Sequence, residues 1–243
     1  MALDLSGRTA LVTGGTRGLG LAIARKFCTS GVDVLINYAN SDEDARRAVA
    51  GLAGLPGKAR AVKGDLGDPA VLKATLARLD RLDIFVHNTA RMTPMSAVAA
   101  DPAIVEDSVA AALRPLLSGA ARLTGLMAGR PGRIIAVSSS GARKVVPGYV
   151  SAGVAKAALE SLVRYLAVEL ASKDIAVNAV STAKLDKRPP GAPETIDVLA
   201  NLTPAGRLTT PDDVAGVVAL LCTDEARWIH GQVITADGGL GIV

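Results

Sequence analysis

The sequence predicts a doubly wound α/β fold in a single domain. Seven short β-branched or aliphatic runs recur along the chain, helical periodicity fills the stretches between them, and glycines crowd the turn after the first run. Continuous apolar runs separated by helices mark a parallel sheet buried on both faces, because each crossover lays a helix over one face. With 243 residues and 49% hydrophobic content, the chain can bury a substantial core, and α/β units of this length commonly stay undivided.

The first predicted strand, TALVTG (9–14), runs through the glycine-rich turn into the apolar-periodic helix LAIARKFC (21–28). DVLINY (33–38) and ARAVKG (59–64) are the second and third strands, and Asp68 followed by Pro69 opens the next helix. LDIFVH (82–87) is the fourth strand. The alanine-rich pattern of about 103–128 predicts a long helix in which Pro115 removes a backbone donor and should cause a kink. GRIIAVS (132–138) and IAVNAV (175–180) are the fifth and sixth strands, with a long helix between them in which Tyr165 fits the apolar face and is expected in the core. Thr210 and Pro211 open the helix before the last strand, QVITAD (232–237). Clustered prolines and weak periodicity at about 184–210 predict a substrate lid on a single domain spanning 1–243.

Composition excludes several functions. The net charge is only +4 and the basic residues are scattered, so no patch argues for nucleic acid. Cys28 and Cys222 lie in apolar helical patterns without metal-ligand spacing, and both are expected as reduced packing residues. No apolar run approaches the roughly 20 residues of a membrane span, and the chain enters a strand without a signal-like segment. A soluble, cytoplasmic protein is expected.

TGGTRGLG (13–20), between a strand and a helix, is where backbone amides and a helix N-terminus can meet a pyrophosphate. Gly14, Thr16, Arg17, Gly18, Leu19 and Gly20 are the candidate contacts. At the end of the second strand an acid would hold a ribose 2′-hydroxyl, but INYANSDE offers Asn37, Tyr38 and Asn40 before any acid. Arg17 can meet a 2′-phosphate, which favours NADPH over NADH. Asp65, with Leu66 after the third strand, either caps an adenine ring or serves the turn beside Gly64.

Tyr149 and Lys156 place a phenol and an ammonium seven residues apart, in a chain with only three tyrosines. Seven helical steps return a side chain to within roughly 20° of its starting direction, so both would face one cleft if the segment is helical. Such a pair can donate a proton beside a reduced nicotinamide.

TGGTRGLG, GDL (64–66), HNTA (87–90), SSSG (138–141), the Tyr149 and Lys156 pair, VNAVS (177–181) and ADGG (236–239) together resemble the short-chain dehydrogenase/reductase family over nearly the whole chain. The resemblance implies a Rossmann fold with a seven-stranded parallel sheet, a cofactor across the carboxyl ends of the strands, and a homotetramer or homodimer. The family's usual signature is Tyr, three residues, Lys. Here the position four before Lys156 is Ala152. Tyr, six residues, Lys is the spacing of the enoyl-acyl-carrier-protein reductases, which KAALESLVRYLAVEL (156–170) and TPAGRLTTPDDV (203–214) also resemble. The implied substrate is an acyl thioester, on an acyl carrier protein or another carrier.

Spacing connects to reaction. In ketone reduction the acid and the hydride donor address adjacent atoms, whereas conjugate reduction sends hydride to a β-carbon while charge develops on an oxygen two carbons away. Three further helical residues displace the tyrosine's attachment by roughly 4.5 Å. The resemblance gives Tyr149 the proton, Lys156 the nicotinamide ribose, and Asn88 with Ala90 the adenosine side. Ser139 either orients substrate or caps a turn, with Ser138 beside it. Ser181 and Thr182 would meet the carboxamide through their backbone. His87 is expected to be structural, and Ala112 stands where the family keeps a relay asparagine. Lys184, Lys187 and Arg188 open the lid and can meet phosphates or an acidic carrier. A ketoreductase and a non-catalytic NADP-binding regulatory or scaffold protein are the alternatives.

Overall fold

β-branched and aliphatic residues commit β1 (Thr9–Val12), β2 (Asp33–Tyr38), β3 (Ala59–Lys63), β4 (Ile84–His87), β5 (Gly132–Val137), β6 (Ile175–Ser181) and β7 (Val233–Thr235) to extended backbone. In the computed structural model, which describes residues 3–186 and 198–243, all seven pair in parallel in the order β3-β2-β1-β4-β5-β6-β7. The order reverses between β1 and β4, and at such a switch point the diverging crossovers leave a crevice at the strands' carboxyl ends.

The connecting helices are α1 (Gly18–Thr29), α2 (Asp42–Gly51), α3 (Pro69–Ala77), α4 (Pro102–Leu126), α5 (Val150–Leu170), the short α6 (Val198–Leu202) and α7 (Pro211–Leu220). Period-two alternation along the strands builds two cores. Ala10, Val12, Ile84 and Val86 face Ile23 and Phe27 of α1 and Val214 and Val218 of α7. Leu11, Phe85 and Ile134 face Leu72 of α3, Leu116 and Leu123 of α4, and Leu159 and Val163 of α5. Each fully buried large side chain contributes about 1.5–3 kcal/mol, so two continuous clusters account for most of the drive to this layering. Cys28 and Cys222 are buried free thiols in the first of them.

Helix starts follow their local chemistry. Asp68 accepts from the Ala70 amide at 2.8 Å ahead of Pro69. Thr210 and Asp213 form a reciprocal capping box at α7, and Arg207 pairs with Asp213 at 2.6 Å. That pairing holds the Asp213 carboxyl well below the usual range. Replacing Thr210 with Ala should cost about 1 kcal/mol, read as a lower urea midpoint with an unchanged m-value.

One expectation is corrected. Tyr165 is 68% exposed, because it falls on the side of α5 opposite Leu159, Val163 and Leu166. α4 includes Pro115, which is buried. The lid expected at about 184–210 falls partly on 187–197, including Lys187 and Arg188, outside the described residues. Among the described residues no helix is long and apolar enough to cross a membrane, and no group of side chains is arranged to hold a metal ion.

Candidate active site

The glycine turn packs too tightly for a side chain at Gly15 and Gly20. A Cβ on Gly20 would sit 2.1 Å from the Gly14 carbonyl oxygen, so helix α1 starts directly on the turn. Gly14 and Gly18 have φ of +61° and +53°, the left-handed region open to glycine. Arg17 is the N-cap of α1 in extended conformation, and neither a capping side chain nor an acid occupies the first turn. Those amides therefore face the crevice unsatisfied, with the helix dipole behind them. Thr16, Arg17 and Leu19 lie on this rim.

Thr13 Oγ1 accepts from the Asn88 and Thr89 amides at 2.8 and 3.0 Å, pinning the ends of β1 and β4 together. Asn88 also donates its side-chain amide to the Thr13 carbonyl at 3.0 Å. It buttresses the turn, while Ala90 beyond it is exposed. Asn37 departs from expectation: it is buried, and its side chain donates to the Val62 and Gly64 carbonyls at 3.2 and 2.8 Å. It clips β2 to β3, leaving its own carbonyl to accept the Gly15 amide. Leu66 likewise buries its side chain in the core and keeps only backbone for a ligand.

Charge around the end of β2 is mostly internally paired. Tyr38 donates to Asp42 at 2.8 Å, and Asp42 also pairs with Lys63. Glu43 pairs with Arg46 and Asp44 with Arg47. Arg17 makes no ion pair among the described residues, and both Arg17 and Asn40 are exposed. Asp65 accepts from the Gly67 amide at 2.9 Å and from Arg91 at 3.1 Å, so it serves its turn while remaining at the surface.

At the other end of the crevice, Tyr149 is the N-cap of α5 with φ −105° and ψ 13°. It starts the helix and does not lie within it. Its ring lies against Gly141, where a Cβ would fall 2.5 Å from Tyr149 Cδ1. The phenol hydroxyl makes no hydrogen bond among the described residues. The loop after β4 is tied here, through Met95 N donating to the Gly148 carbonyl at 3.1 Å and Ser151 Oγ donating to the Thr93 carbonyl at 3.1 Å.

Lys156 is only 4% exposed and donates through Nζ to the Val137 carbonyl at 2.6 Å. Burial pushes its ammonium down to about 8. Ala152 is buried, so the position four before Lys156 offers neither an acid nor a surface. Ser139 Oγ accepts from the Gly141 amide at 3.2 Å and caps a 3-10 turn, Ser140–Ala142. Ser138 turns inward to Glu160 at 2.7 Å. Ser181 ends β6 and Thr182 follows it, both buried, and the Thr182 carbonyl accepts from the Ser140 amide.

Sequence reasoning passed over Glu160. Its signal was an acid one turn beyond Lys156, in phase with the apolar residues of α5. His87 also joins the site's inner wall: Nε2 bonds the Ala112 carbonyl at 2.9 Å and Nδ1 has no partner. Burial first, and then the Lys156 charge, lower His87 to about 3. Below the ordinary imidazole value of 6.5 the unfolded chain takes up a proton that the folded chain refuses. Stability should therefore fall as pH drops from about 6.5 towards 3, and His87→Asn should flatten that part of a urea-midpoint profile.

These residues fit a nicotinamide dinucleotide. The uncapped start of α1 suits a pyrophosphate, and the buried Thr182 Oγ1, which lacks a partner, suits a polar group entering beside β6.

Comparison with known proteins agrees. Residues 14–241 match the family model described as enoyl-(acyl carrier protein) reductase. The 1-cyclohexenylcarbonyl-CoA reductase of Streptomyces collinus is 36% identical over 97% of this chain and 88% of its own length. Among solved structures, the angucycline C-6 ketoreductase LanV with bound NADP aligns with a TM-score of 0.89 at 31% identity, over 100% of this chain and 99% of LanV. A short-chain dehydrogenase from Burkholderia cenocepacia J2315 in complex with NADP aligns at 0.87 and 30% identity, over 98% and 99%. The chain belongs to the short-chain dehydrogenase/reductase family. It is an NAD(P)H-dependent oxidoreductase with a single-domain Rossmann fold.

Proposed function

We propose that this chain is an NADPH-dependent reductase of an enoyl thioester. The observation that carries the reading is the displaced acid: Tyr149 presents its phenol seven residues before Lys156, while buried Ala152 fills the position four before it. When bound, the reduced nicotinamide supplies hydride for the substrate β-carbon. Tyr149 then donates a hydrogen bond or proton to the thioester oxygen, where enolate charge develops. Lys156 holds the nicotinamide ribose hydroxyls, and its charge favours the ionised phenol once the proton has left. Ser139 can donate to the same oxygen while its Oγ still accepts from Gly141. The likeness to the Streptomyces enzyme supports a thioester substrate, on coenzyme A or a carrier protein.

The likeness to LanV favours a second reading, reduction of a ketone with the same groups. Initial rates on a crotonyl and an acetoacetyl thioester separate the two, and turnover of the acetoacetyl compound alone would reject conjugate reduction.

NADPH is preferred because Arg17 is exposed at this rim and makes no ion pair among the described residues. Arg17→Ala should raise KM for NADPH about tenfold, consistent with losing one charge-assisted hydrogen bond, and leave KM for NADH nearly unchanged. We also expect a cytoplasmic homotetramer or homodimer. Leu117 of α4 with Tyr165 and Val168 of α5 are exposed apolar residues on neighbouring helices that suit self-association, which light scattering measures.

A further inference from the structure

The buried carboxylate of Glu160 has no part in the proton transfer proposed above, yet it binds both sides of the turn that lies against the Tyr149 ring. It is 4% exposed and both its oxygens are engaged. Oε1 accepts from Ser138 Oγ at 2.7 Å, and Oε2 accepts from Arg143 Nε at 3.0 Å. Ser138 follows β5, whereas Arg143 lies beyond the 3-10 turn, so one side chain of α5 grips both ends of that turn. A buried carboxylate is costly unless paired and hydrogen-bonded. Glu160 satisfies this by tying down a segment that otherwise runs exposed from Arg143 to Gly148.

Between the gripped ends lies Gly141, the floor under the Tyr149 ring. The same residue is pressed from the helix side, where a Cβ on Gly153 would come within 2.8 Å of the Gly141 carbonyl oxygen. Gly153 donates its amide to the Tyr149 carbonyl at 2.7 Å, so ring, floor and first helical turn form one packed unit. Among the described residues the hydroxyl has no hydrogen bond of its own, and the floor is what the ring rests on.

We propose that Glu160 is a positioning residue: by clamping Ser138 and Arg143 it fixes the turn that carries Gly141, and thereby sets the Tyr149 phenol against the substrate oxygen. This rests on the reading of Tyr149 as the proton donor. Releasing the clamp lets the floor shift by a fraction of a side-chain diameter, and a misplacement of about 1 Å can cost about a hundredfold in rate.

The test measures kcat, KM for NADPH and thermal midpoint for Glu160→Gln, Arg143→Ala and Tyr149→Phe, and for Glu160→Gln combined with Tyr149→Phe, on a crotonyl thioester. Gln keeps the volume but cannot accept from both donors, and Arg143→Ala gives a second variant that removes one donor from an exposed position. Glu160→Gln should lower kcat about ten- to a hundredfold with KM for NADPH within about twofold, and Arg143→Ala should do the same more weakly. In the Tyr149→Phe background Glu160→Gln should have no further effect on kcat, since the group it positions is gone. An equal loss in both backgrounds, or a rise in KM for NADPH with unchanged kcat, overturns the clamp. If Glu160→Gln fails to fold, Arg143→Ala with unchanged kcat does the same. Full activity in Tyr149→Phe overturns the proton-donor reading, and the clamp with it. Lost activity in Tyr149→Phe beside unchanged kcat in both clamp variants overturns the clamp alone.

Discussion

Tyr149→Phe should lower kcat on a crotonyl thioester by about 10²–10³-fold, the typical cost of removing one donor to a developing oxyanion. KM for NADPH and the thermal midpoint should scarcely move. The ring lies on Gly141 and Phe keeps that contact, while the hydroxyl has no hydrogen-bond partner to lose among the described residues. The change therefore isolates one hydrogen bond. NADPH oxidation followed by absorbance provides the measurement, and an unaltered kcat would remove Tyr149 from the chemistry.

Lys156→Met should be at least as damaging, lowering kcat by about 10²-fold or more and also raising KM for NADPH. Met matches the apolar stem, so packing survives, but the Val137 carbonyl loses its 2.6 Å donor and the site loses its buried charge. The wild type carries a pH signature of the same group. With the ammonium held near 8 by burial, kcat/KM, which reports the free enzyme, should decline as pH rises through about 8, where the charge supporting the phenol is lost. A profile flat to pH 10 would show that Lys156 is not the group titrating.

Much of this architecture is legible in the amino-acid order, because local rules dominate it. The seven apolar runs became the seven strands, each within a few residues of its expected ends, and Asp68-Pro69 and Thr210-Pro211 start helices as their chemistry requires. The glycine turn was legible too, since its close approaches leave no room for a Cβ at Gly15 and Gly20. Side chains whose role depends on a distant neighbour were not. Asn37 sits where ribose contacts belong, but Val62 of β3 and Gly64 just past its end supply two carbonyls beside it, and a buried amide takes them. Tyr165 fits a helical period but lies on the face turned away from the sheet. Glu160 looks like a surface acid until Ser138 and Arg143 are brought to it from β5 and the following loop. The angular projection relating Tyr149 to Lys156 holds only for residues inside a helix, and Tyr149 is one step outside.

That last detail separates two parts that a single helix would have fused. The lysine is a fixture of α5, whereas the tyrosine belongs to the chain arriving at it, from Arg143 to Gly148. Lengthening or shortening that approach would move the phenol relative to the ammonium and leave the helix, the sheet and the dinucleotide crevice as they are. The reach between the Tyr149 phenol and the Lys156 ammonium is therefore adjustable in this scaffold, through one short segment and without refolding the sheet.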